Sequence, residues 1–383
     1  MDRERVRFGV VGTGGMGSGH CGMLPKIPEA ELTATCDVSP AVRAAVAEKT
    51  GVPAFATHQE LLQSGLVDAV IIATPHYFHA PIAIDAFRAG IDVLSEKPLS
   101  VSVSDADAMI AAARETGRKF GVMFQMRTEP QCAAARRIVE SGALGNLYRT
   151  NLVMGWYRSQ AYYDSGGWRA TWTGEGGGVL INQAPHYLDL FTWLGGLPST
   201  ITGQTRTRLH DIEVEDEAFA TLEYANGAHG YLYASTTEAP AHSMLEICGD
   251  KGKIVLHGSS IKHFGVEPGI TEFTRASTEM WQAPTATEIP VDLPAEPELK
   301  QHSAITQNFA RSILHGEPLV APGEDGLNAV EMINGIILSG KTGRTVKLPV
   351  DRKEYDELLN RLRAASVEKK SVHEQRITDP AFA

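Results

Sequence analysis

The stretch "VRFGVVGTGGMGSGH", residues 6–20, constrains the fold more than any other part of the chain. A β-branched run that stops at glycine reads as a short buried strand. Gly12, Gly14 and Gly17 follow it in GxGxxG spacing at the start of a predicted helix. A turn of this kind lets backbone N–H groups at a helix N-terminus face a pyrophosphate, so Gly12, Gly14, Gly15, Met16 and Gly17 are candidate dinucleotide contacts. Taken alone, the spacing also describes a plain glycine-rich turn. The second strand, "ELTATCDV", then ends in Asp37, where a carboxylate would accept the ribose hydroxyls of an adenosine and repel a 2′-phosphate. NAD is therefore expected over NADP, with Arg43 the one nearby cation that speaks for a phosphate.

Strand and helix patterns alternate through the first 120 or so residues. "AVIIAT", "DVLSEK" and "KFGVMFQ" continue the strands. "SPAVRAAVAEKTG", "FHAPIAIDAFRAG" and "SVSDADAMIAAARETG" carry helical spacing, with Gly90 and Gly117 placed to end the last two and Ser100, Ser102 or Ser104 to cap the third. The pattern predicts an α/β fold with an N-terminal Rossmann domain, a doubly wound parallel sheet, over residues 1–124. From about residue 148 longer β-rich segments take over, with Asn226-Gly227 as a hairpin turn. These predict a C-terminal α+β domain on an open, mainly antiparallel sheet over 125–350, serving substrate binding and oligomerisation. Residues 261–303, rich in Pro, Thr and Glu, read as surface chain, 304–340 return to helical spacing, and 351–383 form a charged tail, solvated or packed on another subunit.

Composition narrows the partners. A formal net charge of −11 over 383 residues argues against nucleic acid or an anionic membrane surface, which call for clustered Lys and Arg. Cys21, Cys36, Cys132 and Cys248 lie too far apart for a zinc knuckle or a disulfide framework, and the N-terminal apolar run is too short for a signal or membrane segment. A small-molecule partner, a cytoplasmic setting, no metal and no membrane are the expectations.

"SEKPLS" ends another predicted strand, so Lys97 is placed toward the ligand crevice, although an exposed loop lysine fits the same residues. With "GTGGMG", "ATPHYFHAPIAIDAFRAGIDVLSEKPLS", "GGGVLINQAPHYLDL" and "SGKTGRTVKLP" in that order, the chain resembles the Gfo/Idh/MocA family of NAD(P)-dependent sugar and cyclitol oxidoreductases over roughly residues 5–350. The resemblance implies that Lys97 is the catalytic lysine of an EKP motif, followed by a cis Lys97–Pro98 bond, and that His186 is the histidine of the glycine-led pattern. It also implies a cofactor pocket containing Thr74, Pro75, His76, His79, Glu96, Lys97 and Gln125. Asn182 stands where that pattern often has Asp, and as a neutral amide it leaves the His186 pKa lower than a carboxylate would. An ordinary helix N-cap is the alternative for Asn182, and a satisfied core histidine the alternative for His186.

The expected chemistry follows from these residues. His186 acts as general base toward a secondary hydroxyl, and Lys97 stabilises the developing alkoxide, with Asn182 beside them. Gly176 to Gly178 would let backbone approach the nicotinamide and the substrate. Trp156, Tyr157, Tyr162, Tyr163, Trp168 and Trp172, interleaved with Arg158 and Arg169, offer ring faces and donors to a sugar, glycoside or cyclitol, or else form core or a subunit interface. Among them Trp156, Tyr157, Tyr163, Trp168 and Arg169 are the substrate candidates, with Arg127 lining the same cleft. A homodimer or homotetramer through the C-terminal sheet is expected. Two rival functions remain at this level: an NAD-using glycosidase with transient oxidation, which the EKP lysine disfavours, and a non-catalytic dinucleotide sensor, for which Asn182 is the only hint.

Overall fold

The computed structural model describes residues 4–367, 369 and 372–374. Six parallel strands form the first sheet: β1 (Val6–Val11), β2 (Ala30–Cys36), β3 (Ala54–Phe55), β4 (Ala69–Ile72), β5 (Asp92–Ser95) and β6 (Phe120–Val122), in the order β3-β2-β1-β4-β5-β6. The order reverses between β1 and β4, where a doubly wound sheet opens its ligand crevice. Phe8, Val10, Ile71, Ile72, Val93 and Leu94 are fully buried, as expected for strands covered on both faces. The connecting helices are α1 (Gly15–Met23), α2 (Pro40–Thr50), α3 (His58–Gln63), α4 (His79–Arg88) and α5 (Val103–Thr116). Ser102 caps α5 by accepting from Asp105 N, and Gly117 ends it at φ +65°. Strand β3 is two residues long, too short to show as a pattern.

The second sheet has nine strands: β7 (Leu147–Tyr157), β8 (Thr200–Arg206), β9 (Glu217–Glu223), β10 (His229–Ser235), β11 (Thr237–Gly249), β12 (Gly252–His257), β13 (Ser260–Glu267), β14 (Thr285–Ile289) and β15 (Val346–Lys347). Their order is β14-β13-β12-β11-β7-β10-β9-β8-β15, antiparallel throughout except for β7 beside β10. Asn226-Gly227 turns β9 into β10, with Gly227 at φ +83°. Residues 261–303 are not merely surface chain, because β13 and β14 extend the sheet edge there.

The remaining helices are α6 (Pro130–Glu140), α7 (Gln160–Asp164), α8 (Val179–Asn182), α9 (Pro185–Gly195), α10 (Ile270–Ala276), α11 (Gln301–His315), α12 (Gly323–Thr342) and α13 (Arg352–Ala364). Helices α9 and α12 cover one face of the second sheet, through Leu152 and Met154 of β7 and Leu222 of β9. Alternation sends Tyr157 and Tyr231 to the other face, where they are exposed. Helix α11 lies against the first sheet: Phe309 meets Phe8, and Gln307 and Arg311 bond Glu29. Of the charged segment expected over 351–383, helix α13 is docked on its own chain rather than solvated, and residues 375–383 lie outside the described residues. Tyr355, Leu358 and Leu359 of α13 are buried, Arg352 pairs with Asp107 and Glu331, and Ser104 bonds Asp356. Among the described residues, no helix is long and apolar enough to cross a membrane.

Candidate active site

At the glycine turn, Gly12 has φ +85°, and a Cβ there would sit 2.8 Å from Ala73 O. A Cβ on Gly17 would lie 1.8 Å from Gly12 O, so only glycine lets α1 start this close to β1. Gly15, Met16 and Gly17 form the first turn of α1, and their N–H groups have no acceptor within the helix. Asp37 sits just past β2. Its Oδ2 accepts Thr13 N at 2.9 Å and its Oδ1 accepts Ser39 N at 2.9 Å, which holds the carboxylate beside the turn. Arg43 Nη1 is spent on the carbonyls of Asp37 and Val38, at 2.8 and 3.0 Å. The buried Thr74 hydroxyl and Gln125 Oε1 have no partner among the described residues. A glycine cradle, a carboxylate held beside it and buried polar atoms without partners among the described residues fit a dinucleotide laid across the strand ends. A groove of about 710 Å³, lined by Thr13 and Gly14 of the turn, lies between α1 and α2. Neither Lys97 nor His186 lines it, so side-chain chemistry rather than cavity size marks the site.

Lys97 follows β5, and its peptide bond to Pro98 is cis. Half-buried, it donates from Nζ to Asn182 O at 2.8 Å, tying the first sheet to the end of α8. His186 lies in the first turn of α9 and is 6% exposed. Gln125 Nε2 donates to His186 Nε2 at 3.5 Å, which leaves that nitrogen as the lone-pair end of the ring. Burial, then the Lys97 and His302 charges, push the His186 pKa well below the ordinary imidazole value against the pull of Glu96. Burial also lowers Lys97, opposed by Glu96 and Glu175. Burial thus favours the uncharged form of both side chains, and at Lys97 the two carboxylates oppose it.

Several expected residues stand differently. Asn182 is not an N-cap: it is the last residue of α8, and its amide donates to Glu175 Oε1. Pro185 starts α9, where a missing N–H costs nothing. Two of the three glycines are required by chain packing. A Cβ on Gly176 would meet Val101 at 2.3 Å, and one on Gly178 would meet Glu215 O at 1.8 Å. The Glu96 side chain is engaged by two histidines. Its Oε1 lies 2.8 Å from His20 Nε2 and 3.9 Å from His302 Nε2. Burial alone would raise its pKa, but the His20 bond and the charges of His20, His302 and Lys97 bring it to about 2. His79 is fully buried between the carbonyls of Thr74 and Pro98, each 2.9 Å from a ring nitrogen, and braces the pocket from behind. His76, also buried, sits edge-on to Trp168 and bonds Glu175 O at 3.0 Å. Pro75 begins the turn that carries it.

The aromatic cluster divides. Trp168 is half-buried under Arg169, whose guanidinium lies 4.7 Å from its ring and 4.6 Å from that of Tyr162. Trp156, half-buried too, stacks with Tyr187 and Arg158. Tyr163 is core, with its hydroxyl 2.6 Å from Thr236 Oγ1, and Trp172 is core, bonded to Glu213. Tyr157 belongs to the opposite face of the sheet. Arg127 does not line the cleft: it is buried in a bidentate pair with Asp189 at 2.6 and 2.9 Å and reaches Asp325 at 2.6 Å. Glu175, His20 and His302 join the site without a motif that marks them. Glu175 directly precedes the glycines, and His20 shares a helix face with Gly17 three residues earlier. His302 follows Gln301, a non-glycine residue at φ +49° that no sequence pattern announces.

Residues 6–124 match the oxidoreductase family with an NAD-binding Rossmann fold, and residues 132–255 match the Gfo/Idh/MocA C-terminal domain. The chain belongs to the Gfo/Idh/MocA family. It is an NAD-binding oxidoreductase, and the division into a Rossmann sheet and a mainly antiparallel sheet is that of the family. It is 37% identical to an inositol 2-dehydrogenase of Rubrobacter xylanophilus over 194 residues, half of this chain and 53% of that protein. An uncharacterized oxidoreductase of Streptococcus pneumoniae is 31% identical over 258 residues, 66% of this chain and 68% of that one. Among solved structures, the WlbA dehydrogenase of Bordetella pertussis in complex with NADH and UDP-GlcNAcA superposes with a TM-score of 0.77 at 27% identity, covering 91% of this chain and all of that one.

Proposed function

We propose that this protein is an NAD-dependent dehydrogenase that oxidises a secondary hydroxyl of a sugar, glycoside or cyclitol. The observation that carries the reading is that Lys97, just after β5, and His186, in the first turn of α9, are near enough for the Lys97 charge to act on the imidazole, with Asn182 O bonding the one and Gln125 the other. Gly12, Gly14, Gly15, Met16 and Gly17 would hold the pyrophosphate through backbone N–H groups, Asp37 the adenosine ribose, and Thr74 and Gln125 the remaining polar edge. Bound NAD supplies the hydride acceptor. His186 Nε2 takes the hydroxyl proton, which a ring kept neutral by burial is free to do at neutral pH. Lys97 Nζ donates to the same oxygen as negative charge develops there, a contribution of about 10²–10³ in rate for one well-placed donor. Trp156, Trp168 and Arg169 offer ring faces and donors to the ring of the substrate. The relatives named for inositol and for a nucleotide-linked sugar support this class of substrate.

A panel of inositols, simple sugars, glycosides and sugar acids, read by nicotinamide absorbance, tests the proposal. At least one member should reduce NAD, and His186→Ala should abolish that activity while NAD still binds. Tight NAD binding with no turnover across the panel would leave a dinucleotide-binding protein without this chemistry.

A further inference from the structure

Glu175 is a buried carboxyl beside the site that the chemistry above does not use. It is 1% exposed, and each part of it is engaged. Its Oε2 accepts Ala170 N at 2.5 Å, its Oε1 accepts the Asn182 amide, and its backbone carbonyl accepts from His76. Ala170 holds φ +51°, a conformation that non-glycine residues rarely adopt, so the loop is bent where its N–H meets the carboxyl. Across Asn182 the backbone carbonyl takes the Lys97 ammonium at 2.8 Å. Lys97 forms no ion pair among the described residues. The carboxylate next to it in sequence, Glu96, is turned toward His20 and His302. Glu175 is the second acid, after Glu96, whose charge acts on Lys97, and one residue, Asn182, bonds both Glu175 and Lys97.

We propose that Glu175 is a positioning residue whose carboxylate fixes the Asn182 amide and keeps the Lys97 side chain charged, so that Lys97 stays a donor at alkaline pH. The proposal rests on the role given to Lys97 above. Burial pulls Lys97 toward the neutral amine, and Glu96 and Glu175 are the two groups that resist it. Glu175 is itself raised by burial, with the Arg169 charge, Ala170 N–H, the Asn182 amide and Lys97 pulling it back. Arg158 and Arg169 also face this pair, and their charge is constant. Burial keeps His76 neutral and holds Tyr162 and Tyr163 above the ordinary phenol range. Lys369 faces Glu175 and is lowered by burial. His186 and His302, which face Lys97, are held neutral by burial.

Competitive labelling of the intact enzyme with acetic anhydride across pH, with Lys97 read by mass spectrometry, reports the titration of that amine without turnover. Glu175→Gln should move it down by about half a pH unit or more, since an opposite charge is removed. Glu175→Asp, which keeps the charge on a shorter arm, should restore most of the difference. With an oxidised sugar in hand, the basic limb of kcat/KM should move with the labelling curve. In Lys97→Arg, whose side chain does not titrate, Glu175→Gln should move no limb. Identical Lys97 titrations in wild type and Glu175→Gln would overturn the proposal. So would equal shifts in Glu175→Gln and Glu175→Asp, which would make Glu175 a spacer rather than a charge. A shifted Lys97 in an enzyme that oxidises no sugar supports the proposal while removing the activity proposed above.

Discussion

Gln125 and Arg127 sit two residues apart on one short turn, Gln125–Thr128, and both are buried, yet their surroundings are opposite. Arg127 is satisfied on every side: Asp189 takes two of its donors, Asp325 and Val320 O share another, and Phe124 and Trp193 stack against it. Gln125 has an amide oxygen without a partner among the described residues and a long contact to His186. A buried charge whose partners all come from the protein is architecture, whereas a buried polar group left open at one end beside the crevice is free to take a ligand atom. The same contrast separates Glu96, closed on two histidines, from Lys97, whose one side-chain hydrogen bond among the described residues is to a backbone carbonyl.

The largest effect should come from breaking the closed cluster. Arg127→Met leaves Asp189 and Asp325 facing each other without their cation. A loss of about 3–5 kcal/mol in urea unfolding is expected, with little change in the kcat of the folded enzyme. The deficit should be greatest at high pH. A buried Asp189 without Arg127 has its folded pKa raised above the unfolded value, so the folded state gains by taking up a proton as pH falls and loses that gain as pH rises. An Arg127→Met enzyme of normal stability that had lost its activity would return Arg127 to the cleft.

Breaking the open cluster should do the reverse. Lys97→Ala and His186→Ala should each lower kcat by about 10² or more, with unfolding midpoints and NAD affinity near those of wild type. A His186→Ala enzyme that retained most of its activity would make His186 a core residue. That outcome would erase the distinction drawn between the two clusters.

What the sequence made legible follows the same division. The glycine turn, Asp37, Lys97 and His186 are marked by local spacing, because each must sit at a strand end or in a first helical turn to face the crevice. Facing within a cluster is not local. Tyr157 and Trp156 are adjacent in sequence, and strand alternation sends them to opposite faces of β7. Tyr163 and Tyr162 are neighbours on α7, yet Tyr163 is core and Tyr162 bonds Arg169. Arg127 reads as a cleft cation until Asp189 and Asp325, some 60 and 200 residues away, arrive to pair it. Glu175 and the glycines after it mislead in complementary ways: the glycines suggest room for a ligand, yet Gly176 and Gly178 pack against Val101 and Glu215, while no motif marks the acid beside them.

A smaller effect is expected at the adenosine end, where Asp37 is held by Thr13 and Ser39 while Arg43 is engaged with carbonyls. NAD should bind at least about tenfold tighter than NADP, roughly 1.4 kcal/mol, by calorimetric titration. Equal affinities would mean that Arg43 leaves its carbonyls for the 2′-phosphate, and that this part of the site is less fixed than the bonds around Asp37 imply.

The smallest effect is expected where the sequence alone suggests a substantial one. Asn182 is a neutral amide near His186, and an aspartate in its place would be expected to raise the histidine pKa and carry the acid limb of kcat/KM to higher pH. The structure changes the arithmetic, because the Asn182 amide already touches Glu175. In Asn182→Asp two carboxyls meet inside the protein, and such a pair retains one proton between them. The net charge beside His186 then stays close to that of wild type, and the acid limb should move by no more than about a few tenths of a unit. In Asn182→Asp/Glu175→Gln the new carboxylate faces an amide instead, ionises freely and favours imidazolium, so its acid limb should lie clearly to the right of both. Profiles of the three enzymes with one sugar under saturating NAD decide it. A large shift already present in the single variant would show that Glu175 does not share its proton, and that the amide and the acid are neighbours without being coupled.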